Sequence, residues 1–176
     1  MEKMFIIPFV GLKEGKHRFD FVVNDKFFEF YKYDEILDAN INVGLDFVKK
    51  STLFELHFSA KGDIKVACDV TNEHYKEPIE TALDLVIKFG NEFNNENEEI
   101  LIIPHSEFQL DISQFIYEMI VLAVPRKKVH PGVADGTLKS EILDKLKELQ
   151  PKENTINQDT DPRWSKLKDL LTDKKE

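Results

Sequence analysis

The chain has 176 residues, 41% of them apolar, and a formal net charge of −9, enough to bury one sizeable core with a short appendage to spare. No run approaches the ~18 apolar residues that a membrane span needs, and the opening run, residues 4–10, is broken by Pro8, so the sequence predicts a cytoplasmic protein without a signal peptide. A single cysteine, Cys68, excludes an intrachain disulfide framework and suits a reducing compartment.

Residues 5–12 and 17–23 read as two strands of a hairpin around Lys13-Glu14-Gly15-Lys16, with Phe19, Phe21 and Val23 alternating against Arg18, Asp20 and Val22. Asp25 is placed to cap a short aromatic helix carrying Phe27, Phe28, Phe30 and Tyr31, although the same residues suit a strand, and pattern leaves both open. Residues 40–49 alternate through Ile41, Val43, Leu45 and Phe47, and residues 53–60 through Phe54, Leu56 and Phe58 on the other parity. The short junction at Lys49-Lys50-Ser51 predicts an antiparallel pair. Gly62-Asp63 reads as a turn into residues 64–68, Pro78 as the residue before a strand over 79–89, and residues 100–103 as another strand. Between the last two, residues 91–99 are too polar to bury and read as a mobile acidic loop.

Asp111 opens the clearest helix. Ile112, Phe115, Ile116, Met119, Ile120 and Ala123 form one face, and Tyr117, Val121, Leu122 and Val124 make the other side apolar too, which predicts a helix buried on several sides. Pro125 ends it. Arg126-Lys127-Lys128-Val129-His130-Pro131-Gly132 follows as an exposed basic segment, and Thr137 reads as the cap of a second helix with Leu138, Ile142, Leu146 and Leu149 in register. Residues 150–160 form a polar linker. Beyond it, Asp161 and Pro162 suit a helix start, and Trp164, Leu167, Leu170 and Leu171 gather on one stripe. A helix this short is marginal alone, so it docks either on its own domain or on a partner, and the pattern does not choose. Strands before helices predict an α+β fold, a mainly antiparallel sheet of about six or seven strands on a buried helix with a helical C-terminal region. The expected organisation is a domain over residues 1–150, a linker over 151–160 and an amphipathic tail helix over 161–176.

Charge is unevenly distributed. Residues 1–125 hold 12 Lys/Arg against 23 Asp/Glu, net −11, whereas residues 126–176 hold 12 against 10, net +2. An acidic body repels phosphate and attracts basic partners, so any nucleic-acid contact is expected at local positive sites. The candidates are Arg126, Lys127, Lys128 and His130 after the buried helix, and Arg163, Trp164, Lys166 and Leu167 in the tail. For metal, Cys68 and His74 with Asp69 and Glu73 between them make the one cluster, and two ligands fall short of the four of a structural zinc site. The seven glycines are scattered singly, with no phosphate loop, dinucleotide fingerprint or nucleophile elbow. No catalytic residue, cofactor, metal or small-molecule substrate is predicted.

Several pieces together resemble the YceD-like family, bacterial and plastid proteins named for accumulation of large-subunit ribosomal RNA. They are Phe9-Val10-Gly11-Leu12 with Gly15-Lys16-His17 and Phe27-Phe28, then Cys68-Asp69, then Leu122-Ala123-Val124-Pro125 with His130-Pro131, and finally Asp161-Pro162-Arg163. Two departures mark this chain as a variant lacking cysteine pairs. Where many relatives carry Cys-x-x-Cys, Thr71 stands three residues after Cys68, and residues 131–160 contain no cysteine where relatives carry a cysteine-rich segment. The resemblance implies a non-catalytic factor in large-subunit assembly, acting through large-subunit ribosomal RNA or its precursor, a basic ribosomal protein, or both. An acidic adaptor or holdase for a basic ribosomal protein without RNA contact stays open beside it.

Overall fold

A computed structural model describes residues 5–97 and 100–150. Two units are distinguished, Met1–Leu138 and Lys139–Glu176. Strand β1 (Ile6–Ile7) pairs not with the next strand but with a distant one, β7 (Leu110–Asp111), in a small antiparallel sheet. The expected N-terminal hairpin is therefore corrected: β2 (Gly15–Asn24) pairs with β3 (Asp38–Lys49) instead. The reason lies in what residues 9–12 satisfy. Phe9 is buried against the rings of Phe54 and Phe89, and Lys49 Nζ donates to the carbonyls of Phe9 and Leu12, 2.9 Å each. This segment caps one end of the core and is not free to form a ladder.

The main sheet has the order β2-β3-β4-β5-β6, with β4 at Leu53–Ala67, β5 at His74–Gly90 and β6 at Ile100–Pro104. All neighbours are antiparallel except β5 and β6, which run parallel. The fold is α+β and mainly antiparallel. Parity decides the core: Ile41, Val43, Leu45 and Phe47 of β3 are buried, as are Phe54, Leu56, Phe58 and Ala60 of β4, while the intervening residues are mostly wet. Phe54 sits at the centre, its ring 5.1 Å from those of both Phe47 and Phe89, spacings at which aromatic pairs add to simple burial.

Two punctuation signals did not punctuate. Gly62-Asp63 makes no turn, because β4 runs through it; a Cβ at Gly62 would lie 2.1 Å from the Asn40 carbonyl and 2.7 Å from Ile41 Cα. The glycine lets β3 approach rather than reversing the chain. Likewise β5 begins at His74 and carries Pro78 inside it. On the side away from β4, no described residue pairs with the strand before Val86 meets Ile100, so among the described residues Pro78 lies on an edge, the place in a sheet that tolerates proline.

Helix α1 (Asp25–Phe30) settles the open aromatic element. Adjacent Phe27 and Phe28 are both buried, which a strand, sending neighbours to opposite faces, does not allow. Helix α2 (Ser113–Ala123) lies against the sheet but buries only Ile116, Met119 and Ile120, while Leu122 is 85% exposed. The expectation of burial on several sides is corrected: Phe115, Tyr117 and Val121 pack against the core only part-buried on either side of this stripe, and the side carrying Leu122 is open. Helix α3 (Pro131–Ala134) was not expected. Thr137 does not cap the next helix, because its N–H and hydroxyl both donate to the Asp135 carboxylate, at 3.0 and 2.6 Å. Helix α4 instead runs Glu141–Leu149 after Ser140 and leaves Leu138 outside, its N–H on the Gly132 carbonyl. In the acidic loop, Asn94 exchanges backbone hydrogen bonds with Ile102. The linker and tail, with Arg163, Trp164, Lys166 and Leu167, lie outside the described residues.

Candidate functional site

The basic segment after α2 is held by a turn 60 residues earlier in sequence. Strand β4 ends at Ala67, and the carbonyl of the next residue, Cys68, accepts from Asn72 N–H while its own N–H donates to the Glu73 carbonyl. Asn72 takes φ 59°, a left-handed conformation that asparagine tolerates. The turn's groups face the basic segment: Asp69 N–H donates to the Lys128 carbonyl and Asp69 Oδ2 accepts from Lys128 N–H, 2.7 Å each. Two residues further on, His130 N–H donates to Cys68 Sγ at 3.3 Å. Thus the backbone from 128 to 130 is latched at three points.

The thiol takes part electrostatically. Burial pushes the Cys68 thiol up, but the His130 amide, the Thr71 hydroxyl and the amides of Thr71 and Val70 outweigh it and bring the pKa from 9.0 to about 7. Hydrogen bonds to the charged form favour it.

Within the candidate cations, the latch separates roles. Arg126 and Lys127 are exposed and have no hydrogen-bond or ion-pair partner among the described residues. Lys128 turns inward, its side chain 15% exposed, and its Nζ donates to Glu35 Oε2 at 2.7 Å. That hydrogen bond holds the Glu35 carboxyl below its usual range and raises the ammonium of Lys128. His130 is partly buried. Its Nδ1 accepts from Gly132 N–H at 2.9 Å, capping α3, and its ring meets Tyr75 edge-on at 5.4 Å. Gly132 is required there, since a Cβ would fall 2.9 Å from Leu138 Cβ and 3.0 Å from His130 Nδ1. The structure brings Lys128 and His130 to the latch and leaves Arg126 and Lys127 projecting from it.

Elsewhere, three cations on the solvent face of the sheet are matched. Arg18 and Lys16 reach Asp46 at 3.0 Å each, and Lys61 reaches Glu80 at 2.9 Å. Cross-strand pairing of this kind neutralises local charge; Lys65, Lys76 and Lys88 on the same sheet also have no ion-pair partner among the described residues, so what sets Arg126 and Lys127 apart is the latched backbone beside them. Sequence reading missed Glu35, Asp69, Thr71 and Gly132 as parts of the arrangement. The signal for Asp69 was its place beside the lone cysteine at a strand end; the others carried none.

A family model described as Large ribosomal RNA subunit accumulation protein YceD matches residues 56–171. The chain belongs to this family. No curated protein and no solved structure gives a significant match. The YceD match begins within β4 and takes in the Cys68 turn, the basic segment and residues beyond the described ones. In this YceD chain the turn offers a single sulfur. Thr71 Oγ1 occupies the second position and accepts from Glu73 N–H at 3.4 Å, and no group of three or more metal-ligating side chains converges among the described residues. A metal knuckle does not fit these residues; the Thr71 hydroxyl and the amides of Thr71 and Val70 turn to the lone thiol instead. None of the helices among the described residues is long and apolar enough to cross a membrane.

Proposed function

We propose that this protein is a non-catalytic factor that supports accumulation of large-subunit ribosomal RNA and assembly of the large subunit, touching the RNA or its precursor through Arg126 and Lys127. Family membership supports the biological process. The observation that carries the contact is the latch: two exposed cations, unmatched among the described residues, on a backbone pinned by Cys68 and Asp69. Prepositioned cations lose little freedom on binding, and each phosphate they meet releases condensed counterions. Because the body carrying them is acidic overall, such a contact is local and orients the protein on RNA rather than coating it. Lys128 and His130 serve the contact indirectly by fixing the segment, and Arg163, Trp164, Lys166 and Leu167 extend it from the tail. The test is replacement of the gene by the double variant Arg126→Ala/Lys127→Ala. Wild type should restore the ratio of large- to small-subunit ribosomal RNA in a deletion strain, and the variant should restore it only partly while accumulating as folded protein. Full rescue would remove these two residues from the function.

A further inference from the structure

Between α2 and the β5–β6 side of the sheet lies an open groove of about 1080 Å³. Its floor is core made visible: Leu85, Leu101, Ile103 and Met119, each nearly buried. Its rim carries exposed apolar side chains among polar ones, with Leu122 at 85% and Phe30 and Phe93 at 60% each. Contiguous apolar surface of this kind marks a binding site, whereas single exposed apolar residues do not. The charge around it has one sign. Glu107, Asp111 and Glu118 line the groove, and no Lys, Arg or His does among the described residues. Among the described residues, Asp111 accepts only from Ser113 and Glu118 only from the Gln114 amide, so no described cation balances these carboxylates.

We propose that this groove docks a lysine- or arginine-rich amphipathic helix of a protein partner. The apolar stripe of such a helix fills the floor beside Leu122 and Met119, and its cations meet Glu107, Asp111 and Glu118. The carboxylates select against phosphate, so this face is not a second RNA contact. It lies apart from Arg126 and Lys127 in composition and in charge, and it goes beyond the RNA reading above.

The test titrates the full-length protein with a labelled helical peptide of about 14 residues, four turns, built from Leu on one face and Lys on the other. A Leu/Glu peptide of the same pattern is the control. Saturable binding of the Lys peptide alone is expected. Leu122→Ser/Phe93→Ser, both at exposed positions, should weaken it by roughly tenfold or more, and Glu107→Gln/Glu118→Gln should flatten its salt dependence. Arg126→Ala/Lys127→Ala should bind the peptide as wild type does, so failure here and failure of the RNA reading are separately visible. The proposal is overturned if the Lys peptide does not bind, if the Leu/Glu peptide binds equally, or if the groove variants leave affinity unchanged. A dimer that Leu122→Ser dissociates would assign the groove to a second copy, and a shift of Trp164 emission in the free Leu122→Ser protein would assign it to the chain's own C-terminal residues; either overturns it.

Discussion

One thiol joins the turn after β4 to the segment after α2, and its ionisation makes the joint sensitive to pH. The folded Cys68 has a pKa of about 7 against 9.0 for the free group, so the thiolate favours the folded state. That contribution is complete above pH ~9, where the unfolded thiol also ionises, and is lost as pH falls through about 7. Replacing Cys68 with Ser keeps an acceptor for the His130 N–H but removes the titration. The stability gap between wild type and Cys68→Ser should therefore widen between about pH 6 and about pH 9, by about 1–2 kcal/mol in urea unfolding. A gap independent of pH would mean that the thiol stays protonated. Lys128 belongs to the same scale, since Glu35 engages its ammonium, whereas Arg126 and Lys127 have no ion-pair partner among the described residues.

At the scale of elements, α2 carries the most specific expectation. Only one face is buried, so Ile116→Ala should cost about 2–5 kcal/mol, whereas Leu122→Gln should change stability by no more than ~0.5 kcal/mol. Chemical unfolding of the two variants measures both, and a large cost at Leu122 would contradict one-sided packing. This helix also marks where sequence reading ends. Its apolar content was legible, but Leu122 on a wet face and Ile116 in the core are the same kind of residue, and only the position of the sheet distinguishes them. The β3–β4 pair was legible because parity alone fixes its buried face, as Leu45 opposite Phe58 illustrates. The N-terminal hairpin was misread because the partner of β1 lies far along the chain at β7, with Ile6 opposite Asp111 in register, and local alternation is silent about such distances. Gly62 and Pro78 were read as punctuation for a related reason: each is excused by its surroundings, the close backbone of β3 in one case and, among the described residues, a sheet edge in the other. At the site, the basic run Arg126-Lys127-Lys128 was visible as charge. That Lys128 faces inward was not, because Glu35 lies 93 residues earlier.

For the whole molecule, the account rests on an acidic body that offers RNA a small, fixed cationic point. Such a contact has a thermodynamic signature that a solvated loop lacks. Each phosphate contact contributes roughly 0.7–0.9 to the slope of log affinity against log salt. The most direct measurement is the binding of purified full-length protein to large-subunit ribosomal RNA precursor across a salt series, with wild type beside Arg126→Ala/Lys127→Ala. The account predicts weaker binding by the variant and a slope shallower by roughly 1.4–1.8, two contacts' worth. Equal affinity and equal slope would show that the latched segment does not touch the RNA and would contradict the account.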